Sequence, residues 1–130
     1  MARGLSIETR RIPIHGGYIL ELLLKGEFYY TNYGDVEKAV SEEMKEDPKG
    51  ILIDVGGVEY VDSTGLAKLV SLSIRASKRK AGVVLFDVSP RIKRLLQSTH
   101  LQDLLVVRKT RDEALDYLKS QSTESQAGIS

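Results

Sequence analysis

Asp62, Ser63, Thr64 and Gly65 stand in a row just ahead of an apolar series at Leu66, Leu69, Val70 and Ile74. That spacing marks one face of a helix, so the four residues fall at its N-terminus. A helix N-terminus presents unpaired backbone N–H groups and a partial positive charge. A serine there can carry a phosphoryl group, because the helix end favours the added negative charge. Ser63 is therefore a candidate acceptor for a phosphate delivered by an outside kinase. A plainer role competes with this one. Asp, Ser and Thr are preferred N-caps, and capping alone accounts for any one of these residues.

Other chemistries lack their residues. The chain has no cysteine, which removes thiolate catalysis, disulfides and cysteine-ligated metals. Its two histidines, His15 and His100, are far apart in sequence and read as surface or turn residues. The Gly-x-x-x-x-Gly-Lys-Ser/Thr and Gly-x-Ser-x-Gly patterns are both absent. Asp62-Ser63-Thr64-Gly65 has one residue too many for the Asp-Thr/Ser-Gly of aspartic proteases. Asp54 ends an apolar run as the phosphoacceptor of a response-regulator receiver would, but Glu27 stands without the second acidic residue that magnesium binding needs there. No catalytic residue, metal site or cofactor is expected, and the chain does not read as an enzyme.

These residues must be positioned by a small domain. A length of 130 residues supplies one, and 42% hydrophobic residues can fill its core. The 19 Lys+Arg and 18 Asp+Glu give a net charge of +1, which argues against nucleic-acid binding by bulk charge. The charges are nonetheless segregated. Residues 35–47 hold six acidic and two basic residues, whereas residues 75–94 hold seven basic and one acidic. No apolar run approaches the roughly 20 residues of a membrane span, and the N-terminus has no signal-peptide core. The expected compartment is the cytoplasm, with no membrane partner.

The periodicities predict alternating strands and helices. Residues 5–12 read as an edge strand, joined by a Gly16-Gly17 turn to an antiparallel strand over Tyr18–Leu24. Val36, Ala39, Val40 and Met44 predict a helix over Asp35–Glu46, stopped by Asp47-Pro48. Ile51–Val55 reads as a central parallel strand ended by Gly56-Gly57, with Val58–Val61 a short approach to the helix that runs to about Lys80. Gly82–Val88 is the next strand. Ser89-Pro90 starts a helix that reaches Thr99. Leu104–Val107 is a last short strand, and Thr110-Arg111-Asp112-Glu113 is a capping box opening a final helix to Leu118. Residues 119–130 have no apolar period and read as a disordered tail, leaving 1–118 as the domain. The fold class is thus α/β, a mostly parallel sheet of four to five strands built from βα units, with an antiparallel N-terminal edge strand.

The segment Ile51–Leu66, with its Asp54-Val55-Gly56-Gly57-Val58 and Asp62-Ser63-Thr64-Gly65-Leu66, resembles the signature of the STAS family, which includes bacterial anti-sigma factor antagonists. Leu24-Lys25-Gly26-Glu27 is similar to the family's Leu-x-Gly-Glu. Val88–Leu96 and Thr110–Leu115 resemble its later helix starts. The resemblance covers about residues 5–118. It implies that Ser63 is the phosphorylation site, with Thr64 a lesser candidate, and that the partners are an anti-sigma factor serine kinase and a serine phosphatase. Unphosphorylated antagonist binds the kinase; phosphorylated antagonist leaves it.

The implied partner-binding face comprises Glu27, Phe28, Tyr29 and Tyr30 in one loop and Asp62, Ser63, Thr64, Gly65 and Leu66 at the helix start. Asp62 is expected to orient the Ser63 hydroxyl or the helix start rather than act as a base. Tyr29 stands where many phosphorylated members carry aspartate, so either the tyrosines of this loop anchor a partner or Phe28 and one tyrosine close the core. A second reading is a STAS scaffold or subunit, in a stressosome-like assembly or beside a lipid transporter, in which Ser63 is only a cap. Nothing in the sequence specifies an oligomeric state.

Overall fold

Apolar runs of period two and apolar stripes of period 3.6 alternate along the chain, and each becomes the expected kind of element in its computed structural model. Residues 4–29 and 31–127 are described, with side chains through residue 121. The strands are β1 (Leu5–Ile14), β2 (Gly17–Phe28), β3 (Gly50–Val61), β4 (Gly82–Phe86) and β5 (Val106–Arg108). The helices are α1 (Tyr33–Met44), α2 (Ser63–Lys78), α3 (Pro90–Ser98) and α4 (Arg111–Ala127). They form one five-stranded sheet in the order β1-β2-β3-β4-β5. The β1–β2 hairpin is antiparallel and every later pair is parallel, the expected α/β class.

The sheet has two unequal faces. Leu20, Leu22, Ile51, Ile53, Val83 and Leu85 share the main core with apolar residues of α1, α2 and α3. Ile19, Leu52, Val84 and Phe86 point the other way and pack with Ala114, Leu115 and Leu118 of α4. Alternation along each strand sorts the side chains between the two cores. Glu21 belongs to the second face and is 2% exposed. It is matched by Arg111, whose Nε and Nη2 donate to the two carboxylate oxygens at 2.8 and 3.0 Å. Hydrogen bonding to Glu21 raises the Arg111 pKa above its ordinary value, against an opposing desolvation.

Three expectations need correction. Gly56-Gly57 does not end β3; the strand continues to Val61. Both glycines lie at close approaches instead. A Cβ on Gly56 would fall 2.1 Å from Asp87 Oδ2, and one on Gly57 2.7 Å from Lys25 Cγ. The last strand begins at Val106 rather than Leu104, which is 52% exposed in a turn. The final helix does not stop at Leu118: its backbone continues to Ala127, with no Gly or Pro until Gly128 to break it. Residues 128–130 lie outside the described residues. Among the described residues, no helix is long and apolar enough to cross a membrane.

Candidate functional site

The central strands deliver the site. β4 pairs with β3 only as far as Asp54, opposite Phe86. β2 and β3 run on together as a two-stranded ribbon to the pair Phe28–Val61. Along this ribbon the register shifts between Leu23 and Lys25 and again between Gly26 and Glu27, each time with one extra residue on β3. Such bulges bend a strand and re-aim the side chains beyond the bend. Gly26 permits its part of the path with φ +107°, where a Cβ would also strike the Gly4 carbonyl.

α2 starts directly off the ribbon. Asp62 is its N-cap: Oδ1 accepts from the Gly65 N–H at 2.6 Å. The Asp62 N–H donates to the Phe28 carbonyl at 3.2 Å, tying the helix start to the end of β2. Gly65 rests on the Phe28 ring so closely that a Cβ would lie 2.3 Å from Phe28 Cδ1. The Phe28 ring meets Tyr33 edge-on, with centroids 6.2 Å apart. Tyr33 in turn accepts at its hydroxyl from Arg75 Nη2 at 3.1 Å. Burial raises the Tyr33 phenol pKa above its ordinary value, opposed by the Arg75 charge.

The expected site residues therefore separate by depth. Ser63 and Thr64 are exposed on the first turn of a 16-residue helix. Asp62 and Glu27 are half-buried. Phe28, Gly65 and Leu66 are buried and support the helix start from beneath. Tyr29 is half-buried and Tyr60 is 38% exposed; their rings stack at a tilt, with centroids 5.2 Å apart. Tyr30 lies outside the described residues. Phe28 and Tyr33 close the core, whereas Tyr29 lies half-buried against Tyr60.

Asn32 is a residue the sequence reading missed. Its Oδ1 accepts from the Tyr29 N–H and its Nδ2 donates to the Glu27 carbonyl, both at 2.8 Å. Asparagine just before a helical run signals such a turn. His15 and His100 are both exposed in turns.

The chain belongs to the STAS domain family, whose model matches residues 9–114. It is 28% identical to the anti-sigma-B factor antagonist of Listeria monocytogenes over 94 residues, 72% of this chain and 82% of that protein. An anti-sigma factor antagonist from Mycobacterium paratuberculosis shares the fold with a TM-score of 0.73 at 24% identity, covering 88% of this chain and 95% of that one. A sulfate transporter family protein from Wolinella succinogenes matches with a TM-score of 0.70 at 25% identity, over 85% and 89% of the two chains.

Proposed function

We propose that this chain is an anti-sigma factor antagonist that binds an anti-sigma factor serine kinase when unphosphorylated and leaves it once Ser63 is phosphorylated. The observation that carries this reading is the division of labour at the start of α2. Asp62 makes the capping bond to Gly65, so the exposed Ser63 beside it has no capping duty. That bond relieves Ser63 of a side-chain cap, whereas a scaffold role for the domain would not depend on which residue caps α2.

The reaction is a phosphoryl transfer. Ser63 Oγ bonds to the γ-phosphorus of ATP, the bond from that phosphorus to the β–γ bridging oxygen breaks, ADP departs and the hydroxyl proton passes to a base on the kinase. This chain supplies the nucleophile and its placement. The product carries about −1.5 to −2 added charges beside Asp62 and faces the phosphates of the nucleotide that gave it. A repulsion of about 3 kcal/mol would weaken the complex about 100-fold. A serine phosphatase restores the binding form.

The test is incubation of the chain with ATP and each anti-sigma factor serine kinase of its source organism, read by intact mass and peptide mapping. One phosphate on wild type and none on Ser63→Ala is expected. No added phosphate, or phosphate unaffected by that substitution, overturns the proposal.

A further inference from the structure

Beyond the serine itself, we infer that Tyr29 and Tyr60 form the anchor by which this chain selects its kinase, an aromatic pair that enters an apolar recess rimmed by Lys or Arg. The inference rests on the kinase-binding reading above and names the surface that gives that binding its affinity.

Tyr60 is on the ribbon two residues before Asp62, opposite Glu27 in the β2–β3 register. Tyr29 follows Phe28, whose carbonyl holds the Asp62 N–H. The pair is therefore built into the same tip of the molecule that presents Ser63. Its backbone is fixed in advance. The Tyr29 N–H donates to Asn32 Oδ1, and the Asn32 N–H donates back to the Tyr29 carbonyl at 3.2 Å. An aromatic anchor held on such a turn loses little freedom on binding, and interface energy concentrates in tyrosines of this kind.

The surroundings state the partner's chemistry. Glu27 lies opposite Tyr60 in the β2–β3 register, Glu59 precedes Tyr60 on β3, and Asp62 caps α2 just beyond the strand end. A complementary surface carries cations around an apolar centre. The two parts have separate duties. The tyrosines and their acidic rim supply the same attraction in either state of Ser63, and the phosphate, acting against the nucleotide pocket, outweighs it.

The experiment uses the full chain and the kinase found to phosphorylate Ser63, with binding measured by calorimetry in the absence of ATP. Tyr29→Ala with Tyr60→Ala should lower affinity at least about 30-fold. Tyr29→Phe with Tyr60→Phe, which keeps both rings, should stay within about threefold. Tyr60→Ala alone removes only the more exposed ring and keeps the test valid if the double variant unfolds; it should cost about tenfold. In steady-state phosphorylation the Ala variants should raise KM and leave kcat unchanged, as loss of uniform binding requires. Ala variants that fold and bind within threefold of wild type, while Ser63 is still phosphorylated, overturn this inference and leave the function standing. If no kinase phosphorylates Ser63, both fall.

Discussion

The two faces of the sheet are stabilised differently. Three helices and the inward residues of all the central strands build the first face into a continuous apolar core. The second is a smaller cluster under α4, and it contains a buried carboxylate, Glu21, paired with Arg111. The first face depends on packing volume and the second on one charged pair beside a few apolar contacts. The candidate site grows from the first. Leu66 is in its core and Gly65 is buried against Phe28, so Ser63 is placed by the larger of the two cores.

The sharpest way to break this contrast is on the first face. Leu66→Ala removes a fully buried side chain one turn from Ser63 and should cost about 2–5 kcal/mol. Urea denaturation should show the whole domain melting at a lower midpoint. On the second face, Arg111→Ala leaves Glu21 buried without its partner. Arg111 is itself half-exposed, so water relieves part of the loss and about 1–3 kcal/mol is expected. Hydrogen exchange should then speed up in α4 first, with the amides of α2 still protected. Uniform loss of protection would show that the faces act as one.

The smallest effect concerns alkaline pH. The Tyr33 phenol has its pKa raised by burial, so the folded state favours the neutral form. That contribution is intact below the ordinary tyrosine value of about 10 and is lost as pH rises through the higher folded-state value. Tyr33→Phe should flatten the alkaline fall in melting temperature. Part of the fall should remain, because Tyr18, also packed on the first face, is raised by burial too.

Local signals made most of the fold legible. Apolar runs marked the strands, and Ser89-Pro90 and Thr110 began helices as their chemistry requires, accepting from the Ile92 and Glu113 N–H groups at 3.2 Å. What was illegible depended on neighbours distant in sequence. Gly56-Gly57 carries the composition of a strand end, and only the close approach of Asp87 and Lys25 explains glycine within a continuing strand. Glu21 reads as an interruption of an apolar run until Arg111, 90 residues later, is seen against it. At the site, the position of Ser63 at a helix start was legible. Which of Asp62, Ser63 and Thr64 makes the cap was not, since all three can, and geometry assigned it to Asp62. The meeting of Tyr29 with Tyr60 follows from a register that two bulges reset.

The linear strand order has a consequence for synthesis. Each strand after the hairpin joins the edge left open by the one before it, so the sheet can grow in the order in which the ribosome releases it. The first face is covered as it grows, because α1, α2 and α3 each lie between the strands they connect. The second face has no cover until the last helix emerges. Ile19, Leu52, Val84 and Phe86 therefore wait as an exposed, strand-borne apolar surface through most of translation. For a nascent chain such a surface is the natural target of a chaperone or of another unfinished copy.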